Sequence, residues 1–228
     1  MGIINRLKNK VVVSCQAMPN EPFYNEMCMI AMMKSVVKGG AGGLRVAGAR
    51  DVRNAKGLFD LPVIGLTKPA VIPANWKEIV YITPSIKDTL ELIKAGADIV
   101  AFDGTQRPHE GCTIEEIIKY IHINQRLAMA DISTLEEGIL AEKAGADIIS
   151  TTLSGYTQNS PNEGDGPDFE LLEKLVKNVK APVVLEGRIW TPEQVQEAFS
   201  LGAHCVVIGS AITRPQLITK RFVQNRGI

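Results

Sequence analysis

The chain has 228 residues, 45% of them hydrophobic and 22% charged, with 25 basic and 25 acidic side chains. That composition supplies a large core and excludes a disordered chain. The charge balance excludes a long basic face for nucleic acid or anionic lipid, and no apolar run approaches the roughly 18 residues of a membrane-spanning helix.

The segment before Val11 contains no apolar stretch long enough for a secretory signal. Four cysteines (Cys15, Cys28, Cys112 and Cys205) are scattered with no CxxC pair. This usage predicts reduced thiols and a cytoplasmic protein.

Short apolar, β-branched runs recur at Val11–Cys15, Gly43–Ala47, Pro62–Leu66, Asp98–Phe102, Leu127–Ala130, Asp147–Ser150, Pro182–Leu185 and Cys205–Ile208. Runs of this length without strict alternation predict strands buried on both faces, as in a parallel sheet. A ninth run, Ile79–Thr83, predicts an extra short strand in the loop after the third strand.

Helix signals fill the intervals. Ser85 with Asp88 precedes Ile86–Ala95, and Thr113-Ile114-Glu115-Glu116 has the capping-box form. Ser133 with Glu136 precedes Leu135–Ala144, and Asp168 can cap the helix carrying Leu171, Leu172 and Leu175. Thr191-Pro192-Glu193-Gln194 places Pro at the first helical position.

An internal echo supports repetition. Ala95–Val100 matches Ala144–Ile149, and Leu201–Val206 is a weaker third copy. In each, a Gly ends a helix where φ is expected to be positive and a strand follows. Eight such units of about 28 residues predict an α/β fold, a single-domain (β/α)8 TIM barrel over residues 1–228, in preference to an open doubly wound sheet.

Active sites of such barrels lie at the C-terminal ends of the strands. The residues expected there are Gln16, Arg45, Lys68, Asp103, Asp131, Thr152, Glu186 and Gly209. So many ionisable groups above an apolar core point to chemistry, although a salt-bridged lid is the simpler alternative. Lys68 directly follows a dry strand, so desolvation can lower its pKa and make it a base or a Schiff-base nucleophile. Glu186 can orient that Lys or shuttle its proton. Gln16 and Arg45 can donate to an oxygen that gains charge.

A second signal lies at the last two strands. Glu186-Gly187-Arg188 and Gly209-Ser210 place backbone N–H groups at the barrel mouth, a usual phosphate position, with Arg214 near enough to pair with the anion. Other chemistries have little support. His109, His122 and His204 are far apart, so no metal site is expected. Gly39–Gly43 leads into a strand and is not a dinucleotide fingerprint. The Met27, Met29, Met32 and Met33 group reads as core packing, and Cys15 is the one thiol expected near the mouth.

Several stretches resemble one known family. They are Val13-Ser14-Cys15-Gln16-Ala17, Gly43-Leu44-Arg45, Leu61 to Lys68, Met129 to Thr134, Thr151 to Thr157, Glu186-Gly187-Arg188-Ile189 and Gly209 to Arg214. The family is the bacterial N-acylmannosamine-6-phosphate 2-epimerases, and the likeness runs from about Val12 to Phe222. It implies an isomerase of sialic-acid catabolism that interconverts N-acetylmannosamine 6-phosphate and N-acetylglucosamine 6-phosphate. It further implies no cofactor, Lys68 as catalytic base with Glu186 as its companion, and a homodimer. The expected partner is then a small amino-sugar phosphate, with neither nucleic acid nor membrane. Asp131 and Thr152 join the expected substrate contacts with Gln16, Arg45, Gly187, Arg188, Gly209, Ser210 and Arg214. Two rival readings are an aldolase or decarboxylase acting through a Lys68 Schiff base, and a non-catalytic sugar-phosphate-binding barrel.

Overall fold

A computed structural model describes residues 2–161 and 164–224. Eight strands form its barrel: β1 (Lys10–Cys15), β2 (Gly43–Ala47), β3 (Val63–Leu66), β4 (Ile99–Asp103), β5 (Leu127–Asp131), β6 (Ile148–Ser150), β7 (Val183–Glu186) and β8 (Cys205–Ile208). Each pairs in parallel with its sequence neighbours, and β8 closes on β1. All eight expected runs are strands, with ends moved by no more than a residue. The (β/α)8 barrel is therefore the fold.

The two-residue period of each strand sorts its side chains. Val13, Cys15, Leu44, Val46, Val100, Phe102, Ala128, Ala130, Leu185 and Val206 pack outward into one cluster with the surrounding helices. Val12, Ile64, Leu66, Ile99, Ala101, Met129, Ile148, Val184 and Val207 form a second cluster inside the barrel, with Leu7 beneath them from α1 (Ile3–Leu7). By the same parity Ser14, Arg45, Asp103, Asp131, Ser150 and Glu186 also point inward, at the upper end.

The outer helices are α2 (Glu26–Lys38), α3 (Ala49–Leu58), α4 (Ile86–Ala95), α5 (Ile114–Ile123), α6 (Leu135–Ala144), α7 (Phe169–Asn178) and α8 (Pro192–Ser200), followed by the short α9 (Ser210–Thr213) and α10 (Pro215–Gln224). Their starts follow the sequence signals. Ser85 and Asp168 each accept from the backbone N–H three residues on, and Thr113 and Thr191 form reciprocal capping boxes. Such a cap stabilises its helix by about 1 kcal/mol. One cap is displaced. Thr134, with Glu137, caps α6 in place of the expected Ser133 with Glu136. The reason is burial: Ser133 is only 3% exposed, and its hydroxyl donates to Glu137 of α6 at 2.7 Å. The echoed glycines Gly96, Gly145 and Gly202 all have positive φ, at 97°, 104° and 97°.

The expected extra strand at Ile79–Thr83 is not present. That segment is irregular and lies between the ends of β3 and β4. Thr83 N–H donates to Thr67 O, Asp103 N–H donates to Ile82 O, and Thr83 has φ of 45°. A positive φ in a β-branched residue breaks the pleat, so no ladder propagates. A two-residue hairpin instead joins Tyr156–Thr157 to Ser160–Pro161 in the loop after β6. Among the described residues no helix is long and apolar enough to cross a membrane. Met29, Met32 and Met33 are buried on α2, as expected of packing residues, but Met27 in the first turn of that helix is 82% exposed and is not part of the core.

Candidate active site

The site is built on the inward parity of the strands. Arg45 extends from the middle of β2 across the barrel interior. Its Nη1 donates to Asp131 Oδ1 at 3.0 Å and its Nη2 to Asp131 Oδ2 at 2.5 Å, while Nη1 also lies 3.0 Å from Glu186 Oε2. Thr152 Oγ1 donates to Asp131 Oδ1 at 2.8 Å and lies 3.1 Å from Glu186 Oε2. One cation, two carboxylates and a hydroxyl thus form a charged floor. Arg45 and Asp131, expected as substrate contacts, do not line the cavity above. They are 1% and 0% exposed and support Glu186 from below. The reason is position: Arg45 leaves its strand before the end, so its guanidinium is spent inside the barrel.

Lys68 follows β3. Its Nζ donates to Gln16 Oε1 at 2.9 Å, and Gln16 Nε2 donates to Ser14 Oγ at 2.8 Å. Burial is the main force lowering the Lys68 pKa to about 8, helped by the charges of Arg45 and Arg214 and opposed by Glu186 and Asp131. Burial likewise raises Glu186 to about 7, with Asp131 adding to the effect and Arg45 and Lys68 opposing it. Two groups of opposite type are thereby brought near neutrality, the arrangement that suits proton transfer.

Above the floor lies a cavity of about 300 Å³, lined by Gln16, Lys68, Thr152, Glu186, Gly187, Arg188, Gly209, Ser210 and Arg214. Of the eleven expected site residues, these nine meet around one space. A neighbouring cavity of about 650 Å³ shares Gln16, Lys68 and Arg214 with it. Gly187 and Arg188 have φ of 115° and 55°, which turns the backbone sharply after β7. Among the described residues the N–H groups of Arg188 and Ser210 have no hydrogen-bond partner. Both are free to donate into the cavity. The Arg188 side chain instead ties two loops together, donating to Gly166 O at 2.7 Å and Ser154 O at 2.6 Å. Arg214 Nη2 lies 3.4 Å from Glu21 Oε2.

Other polar residues prove structural. Asp103 turns from the cavity to pair with Arg107 at 2.6 Å. His109 bonds Asp103 O, His122 bonds Asp147 and His204 bonds Ile4 O, each at 2.8 Å. Cys15 faces the helices, where burial pushes its thiol up to about 12, so it is not a reactive group of the mouth. Sequence reasoning missed Ser14, Tyr81, Tyr156 and Trp190 among the lining residues. Ser14 was accessible by parity from Gln16. The aromatic residues sit in loops, where no period points the way.

Fold and site together define a class: a (β/α)8-barrel protein with a Lys–carboxylate centre and unpaired backbone donors at its C-terminal mouth. Residues 29–227 match the family described as "NanE: Putative N-acetylmannosamine-6-phosphate epimerase". The chain belongs to this family.

Relatives named "Putative N-acetylmannosamine-6-phosphate 2-epimerase" align over nearly their whole length. That of Caldanaerobacter subterraneus is 48% identical, over 98% of this chain and 93% of its own. That of Clostridium perfringens strain ATCC 13124 is 46% identical, over 96% and 98%. A solved structure of the N-acetylmannosamine-6-phosphate 2-epimerase from Clostridium perfringens superposes with a TM-score of 0.92 at 45% identity, covering 98% of this chain and 96% of that one. A thiamine phosphate pyrophosphorylase from Pyrococcus furiosus, at 20% identity and TM-score 0.62, shares the fold alone.

Proposed function

We propose that the chain interconverts N-acetylmannosamine 6-phosphate and N-acetylglucosamine 6-phosphate by proton transfer at C2. The observation that carries this reading is that the Lys68 amine and the Glu186 carboxyl, from opposite sides of the strand ring, line one cavity, where burial shifts each towards its neutral form. Family membership and the names of the full-length relatives support the substrate.

The C2 hydrogen of an acetamido sugar is acidic only beside an aldehyde, so the open-chain form reacts. Phosphate occupies the end of the cavity formed by Gly187, Arg188, Gly209 and Ser210, with Arg214 adding charge. The sugar chain then runs across the barrel towards Lys68. Burial lowers the Lys68 pKa to about 8, which brings its neutral form within reach to remove the proton. Protonated Glu186 stands on β7, four strands from β3 around the ring, and returns a proton to the opposite face. Gln16 holds the Lys68 ammonium in place, and Arg45 with Asp131 fixes Glu186 from below. These side chains supply the whole of the proton transfer, with no cofactor required.

Proton NMR in D₂O with N-acetylmannosamine 6-phosphate tests the reading. The expected result is formation of N-acetylglucosamine 6-phosphate with deuterium at C2, and absence of both would overturn it.

We also propose a cytoplasmic homodimer. Free cysteines and the exposed Phe222 and Val223 on α10 support this, and light scattering from the purified protein tests the dimer.

A further inference from the structure

The loop that leads from β3 to α4 forms part of the cavity wall through Tyr81 and Ile82. It is irregular, yet it is firmly held. Arg107 fans its guanidinium onto it: Nη1 lies 3.2 Å from Trp76 O, 3.2 Å from Lys77 O and 2.9 Å from Ile79 O. Asp103 Oδ2 at 2.6 Å and Thr105 Oγ1 at 3.0 Å hold the guanidinium from the barrel side. Ile82 and Thr83 are fixed in turn to the ends of β4 and β3. Trp76 packs on Tyr156 across the mouth, with ring centroids 6.2 Å apart.

Between these fixed points lies Tyr81. It lines the same cavity as Lys68 and Glu186 and feels the charges of Asp103, Arg107 and Asp131. Its hydroxyl has no hydrogen-bond partner among the described residues. A partly buried phenol usually finds one, so a free hydroxyl in a cavity wall marks a place for a ligand atom.

The barrel sets which part of the ligand that is. The backbone donors of the phosphate end follow β7 and β8, whereas Tyr81 lies beside the ends of β3 and β4, across the ring. With phosphate at one side, Tyr81 faces the other end of the sugar, which carries C1, C2 and the acylamino group.

We propose that Tyr81 is a substrate-contacting residue, donating its hydroxyl to an acceptor oxygen at the reacting end of the open-chain sugar, and that Arg107 positions it. This rests on the epimerase reading. Burial raises the Tyr81 hydroxyl to about 12, so it stays protonated and acts as a donor. No fold contact is lost in Tyr81→Phe, because the hydroxyl bonds nothing in the protein itself. Loss of activity in that variant therefore reports on the substrate.

The test compares wild type, Tyr81→Phe, Arg107→Lys and the double variant by initial rates with N-acetylmannosamine 6-phosphate and by thermal unfolding. Tyr81→Phe is expected to lower kcat/KM by about 10- to 100-fold with unfolding unchanged, the loss of one hydrogen bond to substrate. Arg107→Lys is expected to lower it in the wild-type background and to add nothing in the Tyr81→Phe background, as for residues acting through one contact. Tyr81→Phe activity within about twofold of wild type overturns the proposal, as does a loss that accompanies weakened folding. If Arg107→Lys fails to fold, Tyr81→Phe alone decides. An inactive wild type overturns the epimerase reading itself and the Tyr81 proposal with it.

Discussion

Arg45 on β2 and Asp131 on β5 meet through two parallel N–H···O contacts of 3.0 and 2.5 Å, with side chains only 1% and 0% exposed. The pair crosses the barrel interior, and Glu186 joins it through Arg45 Nη1 at 3.0 Å. An ion cluster so deep survives because its opposite charges pair, although Arg45 Nε is buried without a hydrogen-bond partner among the described residues. It holds Glu186 at the base of the cavity while the space above stays open for a ligand.

Removing the shared cation should therefore damage the fold as well as the chemistry. Arg45→Met leaves Asp131 and Glu186 facing each other without compensation. We expect a loss of about 3–5 kcal/mol of unfolding free energy, read from urea titration. A change below about 1 kcal/mol would show that the cluster contributes no more than a surface pair.

The pH dependence follows from the two shifted groups. A base near 8 and an acid near 7 give a bell-shaped kcat/KM with its maximum between about 7 and 8, the limbs belonging to the pair. Glu186→Gln leaves Lys68 as the titrating group. The Glu186 charge raises the Lys68 pKa, so its removal lowers that pKa. C2 hydrogen exchange in the variant should then rise with pH in one limb placed below about 8, while epimerisation is lost. A limb displaced to higher pH contradicts this charge coupling.

Lys68→Met tests the base itself. Without the amine, exchange of the C2 hydrogen with D₂O should fall to background, followed by proton NMR. Exchange persisting at the wild-type rate would remove Lys68 from the chemistry.

Arg214 lies beside the cavity and is only loosely paired with Glu21, at 3.4 Å. Arg214→Ala should raise KM for N-acetylmannosamine 6-phosphate by about tenfold or more, as for loss of a charge-assisted contact. Turnover of unphosphorylated N-acetylmannosamine should change little. Equal effects on the two sugars would take Arg214 out of the phosphate site.

Packing outside the site yields a further expectation. A Cβ at Gly138 on α6 would collide with Leu175 Cδ2 of α7, and Leu175 is fully buried, so the packing between the helices must shift to admit it. Gly138→Ala should cost about 1–3 kcal/mol, measured by thermal or urea unfolding. Unchanged stability would mean that α6 and α7 separate more easily than their packing suggests.

Much of the fold was legible beforehand because its signals are local. A strand buried on both faces must be apolar throughout, and a helix start must satisfy its free N–H groups. Runs such as Cys205–Ile208 and caps such as Thr113 therefore announce themselves within a few residues. Ile79–Thr83 misled for the same reason. Its apolar content matches a strand, but the ends of β3 and β4 fix it by single bonds that the local sequence does not encode.

The chain by itself determined the eight-unit barrel and most of the polar residues that end its strands, since both follow from the apolar runs and a repeat of about 28 residues. It also placed Lys68 and Glu186 in the same ring. Only the tertiary structure decided what each charge does. Arg45 is spent on Asp131 and Glu186, Asp103 on Arg107, and Arg188 on two loop carbonyls, whereas Lys68 donates to the neutral Gln16. The physical reason is that a buried charge takes its character from partners across the barrel, dozens of residues away in sequence, and from the water removed around it.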